Sequence, residues 1–340
     1  MADMTAVASR TSTQPDLILD VSDLHVEFAT PQGTLHAVNG VSLTLGRGET
    51  LAILGESGCG KSVMMLAVMG LVRSPPGRVQ ARHIRIGQTD LLSASPASIR
   101  ALRGQRVAMI FQDPFTSLDP TKTVGQQIGE VFRVHRGATH REARRQAIRL
   151  MDRVRIPSAG RRVDDYPHQF SGGMCQRVMI ASAIALDPDL LIADEPTTAL
   201  DVTVQAQIME LLDGLRCEIG MSVVIITHDV RLAAEFAERA IVMYAGRVVE
   251  SGSMRATYAR PRHPYTIGLL RSLPDIESSD TRLKPVPGTP PVMMRLPAGC
   301  PFSPRCDWKR DRCTQETPSL RPLDIDHVVA CHFAEEIINA

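Results

Sequence analysis

Apolar and polar positions change rhythm along the chain, and each change predicts an element. From Leu17 to Leu45 they alternate, in Leu-Ile-Leu-Asp-Val, in His-Val-Glu-Phe and again through Val38, Val41 and Leu43, with a turn at Pro31-Gln32-Gly33 between the runs. Alternation with period two predicts an antiparallel layer of half-buried strands. Leu190 to Ala193 is instead an unbroken apolar run, the pattern of a parallel strand covered on both faces. Leu51 to Leu54, Val107 to Phe111 and Val223 to Ile226 are further apolar runs of strand length. Helix-type spacing fills Val63 to Val72, Val124 to Val154 and Gln176 to Leu186. Residues 1 to 16, rich in Ser, Thr and Ala, have no apolar period and read as a loose tail.

Between the strand at Leu51 and the helix at Val63 lies Gly55-Glu56-Ser57-Gly58-Cys59-Gly60-Lys61-Ser62, which satisfies the phosphate-binding pattern G-x-x-x-x-G-K-[ST] at every fixed position. Strand, glycine loop and helix follow in the order the pattern requires, which a chance glycine-rich turn would not supply. The glycines let the backbone curl so that N–H groups face phosphate oxygens, and the helix adds its positive end. Lys61 would reach the β- and γ-phosphates, and Ser62 would give a hydroxyl to magnesium, a hard ion that takes oxygen ligands. Phe28 is the aromatic to set against an adenine ring; an ordinary strand side chain is the competing reading.

Two acids, Asp194 and Glu195, end the buried run at Leu190. Ligands of open α/β sheets bind outside the carboxyl ends of the strands. Asp194 would hold magnesium and Glu195 would polarise the attacking water. His228 follows the run at Val223 and would lie near the γ-phosphate. Ser171 is placed to cap a helix, with the N–H groups of Gly172 and Gly173 free to hold an anion. The arginines between Val124 and Val154 fit a solvated helix face, with contact to a membrane-side partner as the alternative.

Composition narrows the class. The 340 residues are 44% hydrophobic and 22% charged, enough for one large or two to three smaller domains. A formal net charge of +1 and an aromatic share of 4% argue against a nucleic-acid binder, which would need a basic field or stacking platforms. No apolar run nears the roughly 20 residues of a membrane-spanning helix and no signal-peptide core is evident, so a cytosolic chain is expected. Cys300, Cys306, Cys313 and Cys331 crowd the last 41 residues; in the cytosol such a group favours metal over disulfide.

With these residues in view, the chain resembles the nucleotide-binding subunits of ATP-binding cassette (ABC) transporters over roughly residues 17–260. The resemblance rests on the phosphate loop, Gln112, the signature Ser171-Gly172-Gly173-Met174-Cys175-Gln176, the strand Leu190 to Glu195, Ala199-Leu200-Asp201, and His228. It implies an α/β fold: a RecA-like P-loop core with an antiparallel β layer, a helical subdomain inserted at about 111–186, and a small Cys-rich C-terminal extension at 261–340. It also implies a head-to-tail dimer in which each ATP touches the loop of one subunit and Ser171, Gly172, Gly173 and Asp201 of the other, with Gln112 sensing magnesium and the nucleophile. The signature departs from the usual Leu-Ser-Gly-Gly-Gln form at both ends, and Cys175 stands where Arg is expected.

His263-Pro264-Tyr265-Thr266-Ile267-Gly268-Leu269-Leu270, Pro287 to Pro291 and Phe111 to Leu118 resemble the oligopeptide and dipeptide importer ATPases. A Gly-Gly-Met signature is similar to that of the first of two unlike ATPase subunits there. The resemblance implies a second ATPase subunit, two transmembrane permease subunits and an extracytoplasmic solute-binding protein, at the cytoplasmic face of the inner membrane. Nickel, opines or glutathione are alternative cargoes of the subgroup; a soluble non-transport ATPase is the reading from another class. The cysteine gaps of five, six and seventeen residues lack Cys-x-x-Cys. The resemblance implies a [4Fe-4S] cluster there, with Zn2+ second and free thiols third, stitching a Pro-rich segment too poor in apolar residues to pack alone.

Overall fold

The computed structural model describes residues 16–198, 200–272 and 285–337. The expected tail, apart from Asp16, and Ala199 lie outside them. In chain order the strands are β1 Leu17–Thr30, β2 Gly33–Gly46, β3 Thr50–Leu54, β4 Gly77–Gln80, β5 His83–Ile86, β6 Thr89–Asp90, β7 Val107–Ile110, β8 Leu190–Asp194, β9 Ser222–Thr227, β10 Arg239–Tyr244, β11 Arg247–Ser253, β12 Arg321–Asp324 and β13 His327–Val329.

They form two sheets. The larger runs β12-β13-β11-β10-β3-β9-β8-β7, parallel from β10 to β7 and antiparallel beyond β10. The smaller is antiparallel, β2-β1-β5-β6, with β4 also on β1. Every residue of β3, β8 and β9 is buried, because both faces of the large sheet are covered. Successive residues of a strand point to opposite faces. Leu190 and Ile192 of β8 accordingly join a core with β1, β2 and the helix Lys61–Val68, whereas Leu191 and Ala193 join a second core with the helices Gly172–Ala183 and Val202–Ile219. Each such leucine or isoleucine contributes about 1.5–3 kcal/mol on burial.

The run from Val124 to Val154 is two helices, Val124–Arg136 and His140–Arg153, not one. Gly137 takes a left-handed conformation that ends the first, and Thr139 with Glu142 forms a capping box that starts the second. The expected strand end at Phe111 also moves: β7 stops at Ile110 and Phe111 is exposed. On the helical insert Arg144 pairs with Asp164 and Arg153 with Asp187 and Glu218, as a solvated face requires.

The C-terminal segment packs by using the cassette as its other half: Phe302 and Tyr265 sit in a third core with Leu54, Val242 and Tyr244, with ring centroids 4.6 Å apart for Tyr244–Tyr265 and 5.2 Å for Tyr244–Phe302. The hairpin β12–β13 extends the large sheet by pairing with β11. Wholly buried Glu250 on β11 accepts the backbone N–H groups of Arg262 (2.7 Å) and His263 (3.0 Å) and bonds His327 Nε2 (2.7 Å), tying three stretches together.

Candidate nucleotide site

The loop from Gly55 to Ser62 turns between β3 and the helix Lys61–Val68. Two of its glycines are required by geometry. Gly55 (φ +148) and Gly60 (φ +102) occupy backbone regions L side chains rarely adopt, and a Cβ would fall 2.4 Å from the Met243 carbonyl oxygen at the first and 2.2 Å from that of Ala37 at the second. Lys61 is buried within the curl, its ammonium donating to the carbonyls of Gly55 (2.7 Å) and Glu56 (2.9 Å). The Ser62 hydroxyl donates to Asp194 Oδ1 at 2.9 Å, so loop and β8 present adjacent hard oxygens of the kind magnesium takes. Burial holds the Asp194 carboxyl above its ordinary range, opposed by the Ser62 hydrogen bond; a bound cation would reverse that.

Beside it Glu195 is the centre of a polar group. Its Oε2 accepts from Gln112 Nε2 (2.8 Å) and from the Thr198 hydroxyl (2.9 Å), and His228 Nδ1 stands 3.5 Å from its Oε1. Glu195 has φ +46, a left-handed conformation uncommon for a residue with a side chain, and its N–H donates to the Ile226 carbonyl of β9 at 2.9 Å. Three strand ends thus bring Gln112, Glu195 and His228 together. Thr198 was not singled out from the sequence; a hydroxyl three residues beyond a strand-end acid was its only signal.

Other candidates lie elsewhere. Ser171 occupies the N-cap position of the helix Gly172–Ala183, yet its exposed hydroxyl makes no capping hydrogen bond, contrary to the expected cap. Among the described residues no hydrogen bond or ion pair links Ser171, Gly172 or Gly173 to the loop. Asp201 caps the helix Val202–Ile219 through the Val204 N–H at 3.0 Å. Phe28 is half-buried on β1, opposite Leu35 and Gly77. Cys59 is a buried loop thiol, its pKa raised by burial.

Cys300, Cys306, Cys313 and Cys331 are free thiols that line one small cavity with Phe302 and Trp308. Burial pushes Cys306 up to about 12 and Cys331 up to about 11. Among the described residues no three His, Cys, Asp or Glu side chains stand close enough to hold a single metal ion. No helix among them is long and apolar enough to cross a membrane.

A nucleotide-binding loop, a strand-end acid pair and an inserted helical unit define a class, and comparison with known proteins agrees. A sequence profile of the ABC transporter family matches residues 38–198. The chain superposes with a TM-score of 0.62 on a dimeric post-hydrolysis structure of the ATP-binding cassette MJ0796 bound to ADP and Pi, at 28% identity over 70% of this chain and 99% of that one. It also matches cbiO1 from Clostridium perfringens, part of the ABC transporter complex cbiONQ, with a TM-score of 0.58 and 29% identity over 72% and 92% of the two chains. A second profile, for the C-terminal region of oligopeptide/dipeptide transporters, matches residues 249–313. A protein of Brucella abortus (strain 2308) named as a peptide import ATP-binding protein is 51% identical over 89% of this chain and 91% of its own. A Brucella melitensis relative of the same description is 46% identical over 96% and 99%. The chain belongs to the ATP-binding subunits of ABC transporters, in the oligopeptide/dipeptide branch, and is an ATPase.

Proposed function

We propose that the chain hydrolyses ATP to drive import of di- or oligopeptides through a membrane permease. The observation that carries this is the meeting of three elements at the strand ends: the loop with Lys61, the Ser62–Asp194 pair, and Glu195 held by Gln112 and Thr198. On ATP binding Lys61 leaves its carbonyl partners for the β- and γ-phosphates. Ser62, Asp194 and Gln112 are the residues that would hold Mg2+, which when bound neutralises phosphate charge. Glu195 takes the proton of the attacking water, Gln112 and Thr198 fix its carboxylate, and His228 contacts the γ-phosphate from the β9 end. The remaining loop residues, Gly55 to Gly60, cradle the phosphates, and Phe28 faces the adenine.

The exposed Ser171 hydroxyl, without a hydrogen-bond partner among the described residues, supports completion of the site by a second subunit. In this reading Ser171, Gly172, Gly173 and Asp201 close on the nucleotide of an unlike ATPase partner, and ATP holds the heterodimer shut until hydrolysis reopens it. Two permease subunits receive the motion at the cytoplasmic face of the inner membrane, fed by an extracytoplasmic solute-binding protein. A groove of about 560 Å³ bordered by Met69, Met109, Phe111, Leu118, Val131 and Met179 offers a permease loop an apolar seat. The four cysteines hold a [4Fe-4S] cluster in this proposal; their convergence on one cavity supports it.

Glu195→Gln tests the chemistry. ATP binding persists, a closed dimer accumulates with the partner ATPase, and hydrolysis is lost; hydrolysis at the parental rate would refute the role. Uptake of a labelled dipeptide into vesicles carrying the full complex, set against nickel chelates and glutathione, decides the cargo. Anaerobically purified protein should be brown and contain about four irons per chain, whereas colourless protein with one zinc per chain rejects the cluster.

A further inference from the structure

We infer that Arg305 and Tyr265, both in the C-terminal extension, are positioning residues that hold the phosphate loop in the shape that accepts ATP. The inference rests on the ATP-binding reading of that loop. Arg305 is 249 residues distant from Glu56 in sequence, yet its guanidinium donates from Nη1 and Nη2 to the two carboxylate oxygens of Glu56 at 2.7 and 2.9 Å. It is buried, with its Nε on the Pro287 carbonyl at 2.7 Å and Nη1 3.3 Å from the Tyr244 hydroxyl. From the neighbouring helix Pro264–Arg271, fully buried Tyr265 accepts the Glu56 backbone N–H on its phenol oxygen at 2.7 Å.

That hydrogen bond orients a peptide plane. In a trans peptide the N–H of one residue and the C=O of the residue before it point in opposite directions. Directing the Glu56 N–H at Tyr265 therefore turns the Gly55 carbonyl the other way, where it receives the Lys61 ammonium at 2.7 Å. The Glu56 carbonyl takes the same ammonium at 2.9 Å while its carboxylate is gripped by Arg305. Glu56 is thus fixed at its amide and both carboxylate oxygens from outside the loop, and its carbonyl helps station the lysine inside. An apolar contact would seat the extension equally well; a planar fork on a carboxylate sets direction too. Released from it, the loop samples shapes that cannot take phosphate, and apparent affinity falls in proportion to the competent fraction.

The test measures ATP affinity on the full-length protein, and KM and kcat on its complex with the partner ATPase, for Arg305→Gln, Arg305→Lys, Tyr265→Phe and Lys61→Ala. With the competent fraction cut to about a tenth, Arg305→Gln weakens ATP binding about tenfold while kcat at saturating ATP stays within about twofold. Tyr265→Phe removes one oxygen and weakens binding about threefold to tenfold. Arg305→Lys keeps the charge but not the fork, and recovers part of the loss. Folded Arg305→Gln and Tyr265→Phe with parental affinity, or with kcat lowered and KM unchanged, would overturn the inference. Should Arg305→Gln not fold, Tyr265→Phe decides alone, since its ring still fills the core. Lys61→Ala separates the layers: parental ATP binding there sinks the nucleotide reading itself, whereas its loss beside intact binding in the other variants sinks only the clamp.

Discussion

Replacing Glu250 should loosen the extension from the cassette before anything else unfolds. The carboxylate is wholly buried and satisfies three donors, the N–H groups of Arg262 and His263 and the His327 ring nitrogen. Each buried donor left without a partner costs about 1–3 kcal/mol, and part of the sum returns because the carboxylate no longer has to be desolvated. The net for Glu250→Ala is about 3–5 kcal/mol, the range seen when one member of a buried charged group is deleted. Glu250→Gln is milder. Its amide oxygen can stand in for Oε1, which serves both Arg262 and His327, so only the His263 N–H is lost and about 1–3 kcal/mol with it. Trp308 is the only tryptophan, lies on the cysteine cavity and has the Arg271 guanidinium 6.0 Å from its ring centre, so its emission reports this region. With a urea slope of about 2–3 kcal/mol per molar, the Trp308 midpoint should fall by about 1–2 M in Glu250→Ala, ahead of the far-ultraviolet signal of the cassette. A Trp308 midpoint within about 0.3 M of the parent would show that Glu250 does not hold the extension.

Two other outcomes follow from the geometry. Burial lowers the His263 imidazole to about 4, against an ordinary 6.5, so the unfolded chain binds the proton first as pH falls. The stability held by neutral His263 is whole above about pH 6.5 and declines toward pH 4 by about 3 kcal/mol. Denaturation midpoints across that window should slope less in His263→Asn, which keeps an acceptor for the Tyr265 N–H; an unchanged slope refutes the assignment. Gly60→Ala drives a methyl group to 2.2 Å from the Ala37 carbonyl oxygen, so ATP affinity should drop at least tenfold, measured by calorimetry, and parental affinity would mean the loop reshapes freely.

The cassette core was legible because its signals are local. A two-residue period announces β1 and β2, unbroken apolar runs announce β3, β8 and β9, and the loop sequence carries its own glycine geometry. The helix break at Gly137 was not read from the sequence, although Thr139 and Glu142 spell a capping box, because arginine-rich spacing on either side masked it. Other elements had no such local signal. β4, β5 and β6 are four, four and two residues long, too short to show a period, and β12 contains Pro322. The Arg305–Glu56 pair and the Glu250 hub join positions far apart in the chain, and nothing in the neighbourhood of either residue marks its partner.

The β12–β13 hairpin has a practical consequence for anyone trimming this protein. It occupies the hydrogen-bonding rim of β11, so a version cut back to the residues before the extension would leave that rim bare, with Glu250, Ser251 and Gly252 offering their backbones to whatever chain drifts past. Bare rims recruit other chains. A minimal catalytic unit prepared in this way would be sticky rather than simpler, and its clumping would say nothing about how well the catalytic part folds.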